Sequence, residues 1–120
     1  MDQIKRVPTV KLFDKSYELS TKLRVAYKVQ GKNGHKPYSE IFQKIDTMTL
    51  EDQVAILYCA FEVANPDAAT DITFQKFLGY YLDNYSVGTI MDQLQDIIGG
   101  ILGQDLKSPE SDATTEPEGN

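Results

Sequence analysis

Apolar residues along this chain fall into blocks with different periods. The densest block is Leu50 to Ala64 (LEDQVAILYCAFEVA), where Val54 to Phe61 are apolar almost without a break. Thr49 is placed to cap it, and Glu51 and Asp52 set negative charge against the positive end of the first turn. Asn65-Pro66 stops it, because the residue before a proline is pushed out of the helical region. A helix apolar on nearly every side has to be covered on nearly every side. It is also shorter than the ~20 apolar residues that cross a bilayer. The pattern therefore predicts a central helix with the other elements packed around it.

Upstream, residues 1–9 read as a loose leader around Pro8. Val10 to Leu19 reads as a small hairpin turning at Asp14-Lys15-Ser16, without the Asn-Gly or Asp-Gly pair that secures a tight turn. From Leu19 to Val29 two periods compete. Leu19, Leu23, Val25, Tyr27 and Val29 are nearly alternate, as in a half-buried strand. A helix would instead group Leu19, Leu23, Ala26 and Tyr27, with Ser20 or Thr21 as cap and Gly31 as the stop. After a Gly-rich loop, Tyr38 to Ile45 predicts a short helix burying Tyr38, Ile41, Phe42 and Ile45, with Ser39 as a candidate cap.

Downstream, residues 65–72 read as a connecting loop. Thr73 opens an amphipathic helix with Phe74, Phe77, Leu78, Tyr81, Leu82 and Tyr85 on one stripe. Ser86 caps the last helix, whose stripe is Val87, Ile90, Met91, Leu94, Ile97, Ile98, Ile101 and Leu102. The Gly99-Gly100 pair weakens its final turn by about 1 kcal/mol per glycine relative to alanine. The fold class expected is mainly α: a small helical bundle around a central apolar helix, with a short N-terminal β-hairpin. One domain covers residues 10–103, and the polar, acidic residues 104–120 are expected to be a disordered tail.

Charge sharpens this picture. The net charge of −6 divides unevenly: residues 1–44 carry ten Lys/Arg against four Asp/Glu, and residues 45–120 carry two against fourteen. The acidic majority argues against general nucleic-acid binding, although the basic N-terminal part could meet an acidic partner. Cys59 is the single cysteine and cannot form an internal disulfide. With no secretory h-region at the start, a reduced cytoplasmic setting is expected, and no membrane segment.

Candidate chemistry is sparse. His35 is the only histidine and sits in a glycine-rich loop, while Cys59 lies among large apolar groups, so no nucleophile–base pair or zinc set can be assembled. The loop Asn65 to Lys76 has the length of a calcium-binding loop. However, Ala69 supplies no ligand, Thr70 stands where glycine is needed, and Lys76 puts a cation where the bidentate carboxylate belongs. No catalytic residue, metal or cofactor is assigned. What remains is apolar surface. The first half of the last helix's stripe is core by default. Tyr81, Tyr85, Leu94, Ile97, Ile98, Ile101 and Leu102 are the candidate partner-binding or self-association residues.

The order of parts carries a resemblance. VKLFDKSYEL, TKLRVAYKVQG, PYSEIFQKI, MTLEDQVAILYCAF, NPD…TFQKFLGYYLD and IMDQLQDIIGGILG, followed by an acidic tail, resemble the tail assembly chaperones of long-tailed phages and prophages of Gram-positive bacteria. The likeness spans residues 10–103 and lies in apolar positions, not in an invariant motif. It implies a helix over residues 20–30. It also implies a non-enzymatic, non-structural viral protein of the bacterial host cytoplasm that binds and solubilises the tape measure protein. In that family a longer form, made by programmed frameshifting, recruits tail tube protein. The alternative is a small regulatory DNA-binding or adaptor module using the basic N-terminal part.

Overall fold

The hydrophobic density of residues 54–61 has a direct structural outcome. In the computed structural model, which describes residues 8–106, the helix they form is the axis of the molecule. The elements in chain order are β1 (Thr9–Leu12), β2 (Lys15–Glu18), α1 (Leu23–Lys32), α2 (Tyr38–Gln43), a 3-10 turn (Ile45–Thr47), α3 (Leu50–Ala64), α4 (Ala68–Asp71), α5 (Phe74–Asn84) and α6 (Val87–Leu106). The fold is thus mainly helical with a short N-terminal hairpin. The leader falls largely outside the described residues, apart from Pro8 and Thr9, which opens β1. The tail past Leu106 also lies outside them.

α3 begins where the Thr49 hydroxyl accepts from the Asp52 N–H (3.1 Å) and ends at Asn65, whose side-chain amide donates to the Phe61 carbonyl (3.0 Å). Every residue from Val54 to Phe61 except Ala55 is buried, because α1, α5 and α6 all pack on this helix. Gln53 is the buried polar residue of its first turn, and its amide donates to the Ile45 carbonyl (2.7 Å). That bond ties the 3-10 turn to α3 and satisfies a group that would otherwise be costly to bury.

The hairpin pairs Leu12 with Lys15, so its turn is Phe13-Asp14 and not Asp14-Lys15-Ser16; Lys15 and Ser16 belong to β2. Both turn residues have positive φ (51° and 68°), the geometry of a two-residue type I′ turn. Val10 and Leu12 point inward, and Tyr17, opposite Val10, meets the Phe61 ring edge-on at 5.3 Å. The open end is held by Leu19 N–H to the Pro8 carbonyl (2.8 Å), Ser20 N–H to the Ala60 carbonyl (3.1 Å) and the Asn65 amide to the Glu18 carbonyl (2.8 Å).

Residues 23–32 are helical, which settles the competition of periods for the helix, but with a different face inward. Val25, Ala26 and Val29 are buried, while Leu23 and Tyr27 stand in solvent. The cap is Lys22, without a side-chain bond, and Gly31 lies inside the helix; the stop comes at Asn33-Gly34, where Gly34 takes φ 72°. α2 ends at Gln43, so Ile45 falls in the 3-10 turn, and Pro37 rather than Ser39 occupies the cap. A single turn, α4, forms within the stretch expected to be loop. α6 continues past Gly103 to Leu106, carried by the buried Ile101 one turn earlier.

Candidate partner groove

The residues expected to offer a partner surface are mostly core. Tyr81, Leu94, Ile97 and Ile101 are fully buried, and Ile98 is 9% exposed. The reason lies in what covers the end of α6. The link to α1 and α1 itself pack on α6, and Gly100 sits so near Thr21 that an added Cβ would lie 2.7 Å from Thr21 Cγ2. The late isoleucines therefore complete the bundle. Of the seven, Leu102 remains exposed and Tyr85 is half-buried, its hydroxyl donating to the Lys11 carbonyl.

Tyr81 has a structural task as well. Its hydroxyl donates to Gln93 Oε1 at 2.6 Å, joining α5 to α6, while its ring stacks on Phe77 (4.9 Å) and meets Tyr85 at a tilt (4.8 Å). Burial pushes its phenol well above the ordinary tyrosine range. The Cys59 thiol is likewise pushed up by burial, to about 11, so it stays protonated and inert at neutral pH. His35 is exposed in the turn after α1, with φ 62°. No group of three or more His, Cys, Asp and Glu side chains able to hold a metal occurs among the described residues. No helix among them is long and apolar enough to cross a membrane.

Bare apolar ground occurs elsewhere, at positions the periodicity did not single out. A groove of about 480 Å³ lies between the hairpin tip and one side of α5. Phe13 forms one wall. Gln75, Lys76, Gly79, Tyr80 and Asp83 form the other, with Ile72 and Asp71 before the start of α5. Residues 75/76, 79/80 and 83 recur at helical spacing, opposite to the Phe77–Tyr81 stripe that faces the core. Gly79 leaves space: a Cβ there would meet nothing within 4 Å.

Phe13 is the unusual member. A bulky residue with φ 51° is a backbone outlier, and this one is 49% exposed, its ring lying 4.8 Å from Tyr80. The Tyr85–Lys11 bond and the Tyr80–Tyr85 contact (6.1 Å) fix the hairpin's distance from α5. The wall thus stands on anchored elements. The signal in the sequence was the aromatic at the turn of a hairpin lacking glycine. A second apolar feature is the Leu23–Tyr27 ridge on α1, an i,i+4 pair among Lys22, Arg24 and Lys28.

Comparison of the chain with protein-family models, with curated proteins and with solved structures returned no match.

Proposed function

We propose that this chain works by binding another polypeptide, without catalysis, as a tail assembly chaperone. On this reading it holds the apolar helical stretches of the tape measure protein in solution in the host cytoplasm, and a frameshifted longer form brings in tail tube protein. The observation that supports the binding role is the groove between Phe13 and Tyr80, where a strained, half-exposed aromatic is kept in place against an anchored helix face. Strain of this kind costs on the order of 1–3 kcal/mol and tends to be retained at ligand clamps. An amphipathic client helix recognised through apolar anchors needs such a concave surface and no perturbed acid or base. The assignment to tail assembly rests on the resemblance of residues 10–103.

The test is co-expression with the neighbouring tape measure gene. The expected outcome is co-purification and a rise in soluble client. Absence of both sinks the reading. A second reading is favoured by α1, where exposed Lys22, Arg24 and Lys32 surround the exposed Tyr27. Retention on DNA that falls steeply with salt would favour that basic module instead.

A further inference from the structure

The groove carries charge in a pattern that narrows what it can hold. Its apolar members are Phe13, Ile72, Tyr80 and the bare backbone of Gly79, with Gln75 and Lys76 alongside them. Its two ends carry carboxylates, Asp71 before α5 and Asp83 in the last turn of α5. Neither carboxylate has an ion pair among the described residues, whereas Glu62 and Glu40 each meet a lysine. Lys76, the groove's cation, lies at the Asp71 end, where its ammonium donates to the Asp71 carbonyl at 3.2 Å, so the Asp83 end carries the less compensated negative charge. From Gln75 to Asp83 the α5 wall is about 12 Å long, roughly two turns of an approaching helix.

We infer that the groove takes a cationic amphipathic helical segment of a partner polypeptide, with an apolar or aromatic anchor over Gly79 and Lys or Arg on either side reaching Asp71 and Asp83. This rests on the polypeptide-binding reading above and adds the chemistry of the partner. The anchor enters between Phe13 and Tyr80, where removal of Cβ at position 79 lets a side chain approach the α5 backbone. The carboxylates at the ends select the flanks and set the register, since an anionic flank would meet unpaired like charge.

The experiment uses the full chain and two synthetic helical peptides of about 16 residues, a length at which helix can form. Both carry Leu and Tyr four residues apart. One has lysines flanking that pair and the other glutamates. By fluorescence anisotropy at about 50 mM salt, where exposed charges are weakly screened, the lysine peptide is expected to bind about tenfold more tightly. That preference should fall to about twofold in the Asp71→Asn/Asp83→Asn variant. Gly79→Leu, which fills the groove and favours the helix, should remove binding of both peptides while circular dichroism stays native.

Equal binding of the two peptides overturns the inference and leaves an uncharged apolar groove. Peptide binding that survives Gly79→Leu overturns the groove as the site. If neither peptide binds while the tape measure protein still co-purifies, the inference fails and the chaperone reading stands. If the peptides behave as expected and the tape measure protein does not co-purify, the inference stands with a different client. Concentration-dependent self-association lost in Gly79→Leu assigns the groove to a second copy and overturns it.

Discussion

At the scale of single residues, Phe13 concentrates the tension between stability and binding. Type I′ turns favour Asn or Gly at both central positions, because φ is positive there and a large side chain is disfavoured. Here Phe13 and Asp14 occupy them. Replacement Phe13→Asn is expected to preserve the hairpin and raise stability by about 0.5–1 kcal/mol, net of the lost contact with Tyr80. Thermal unfolding reads the gain, as a rise of a few degrees. The same variant should weaken capture of a helical client, since one wall of the groove is gone. A fall in thermal stability would mean that the Phe13–Tyr80 contact outweighs the backbone strain, and Phe13 would then be structural.

At the scale of elements, the two neighbouring glycines of α6 make opposite demands. Gly99 is exposed and a Cβ there meets nothing within 4 Å, so Gly99→Ala is expected to stabilise by about 1 kcal/mol through helix propensity alone. Gly100 faces Thr21 with no room, and Gly100→Ala should destabilise by about 1–3 kcal/mol through overpacking, as measured by urea unfolding. Equal effects of the two would show that the contact relaxes freely. This pair also explains where the sequence was readable. The pattern of α3, its Thr49 cap and its Asn65-Pro66 stop carried over directly, because a continuous apolar run with caps on both sides admits one arrangement. The face of α1 did not, since Leu23 and Tyr27 fit an amphipathic stripe as well as Val25, Ala26 and Val29 do. Only the packing against α3 decides between them. The late isoleucines looked superfluous on α6 for a related reason. Thr21, which packs against Gly100 of that helix, belongs to a link whose position depends on the hairpin. Candidate-site legibility was poorer still. The groove joins residues 13 and 79–83, and no local period connects them.

At the scale of the whole molecule, the core keeps ionisable groups neutral, Cys59 and Tyr81 foremost, and this gives stability a pH limit. Both Cys59 and Tyr81 have folded pKa values raised by burial, Cys59 from 9.0 to about 11. Above pH 9 the unfolded chain releases the thiol proton while the folded chain retains it. The unfolded state then binds fewer protons, so stability falls as pH rises. The Cys59 contribution is whole below pH 9 and is lost progressively towards pH 11, with Tyr81 extending the loss higher. Urea midpoints should therefore be level from neutrality to about pH 8.5 and decline beyond it. A level profile to pH 10.5 would show that the thiol is solvated. The same core has a consequence during translation. The hairpin at the chain's start is held by Ala60, Asn65 and, through Lys11, by Tyr85, a partner 74 residues downstream. At ribosomal speeds of about 5–20 residues per second, roughly 4–15 s separate the synthesis of those two residues. Until Tyr85 has left the exit tunnel, the first strands have a tip with nothing to lean on. A newborn copy can therefore offer its groove only after α5 and Tyr85 have emerged behind the hairpin.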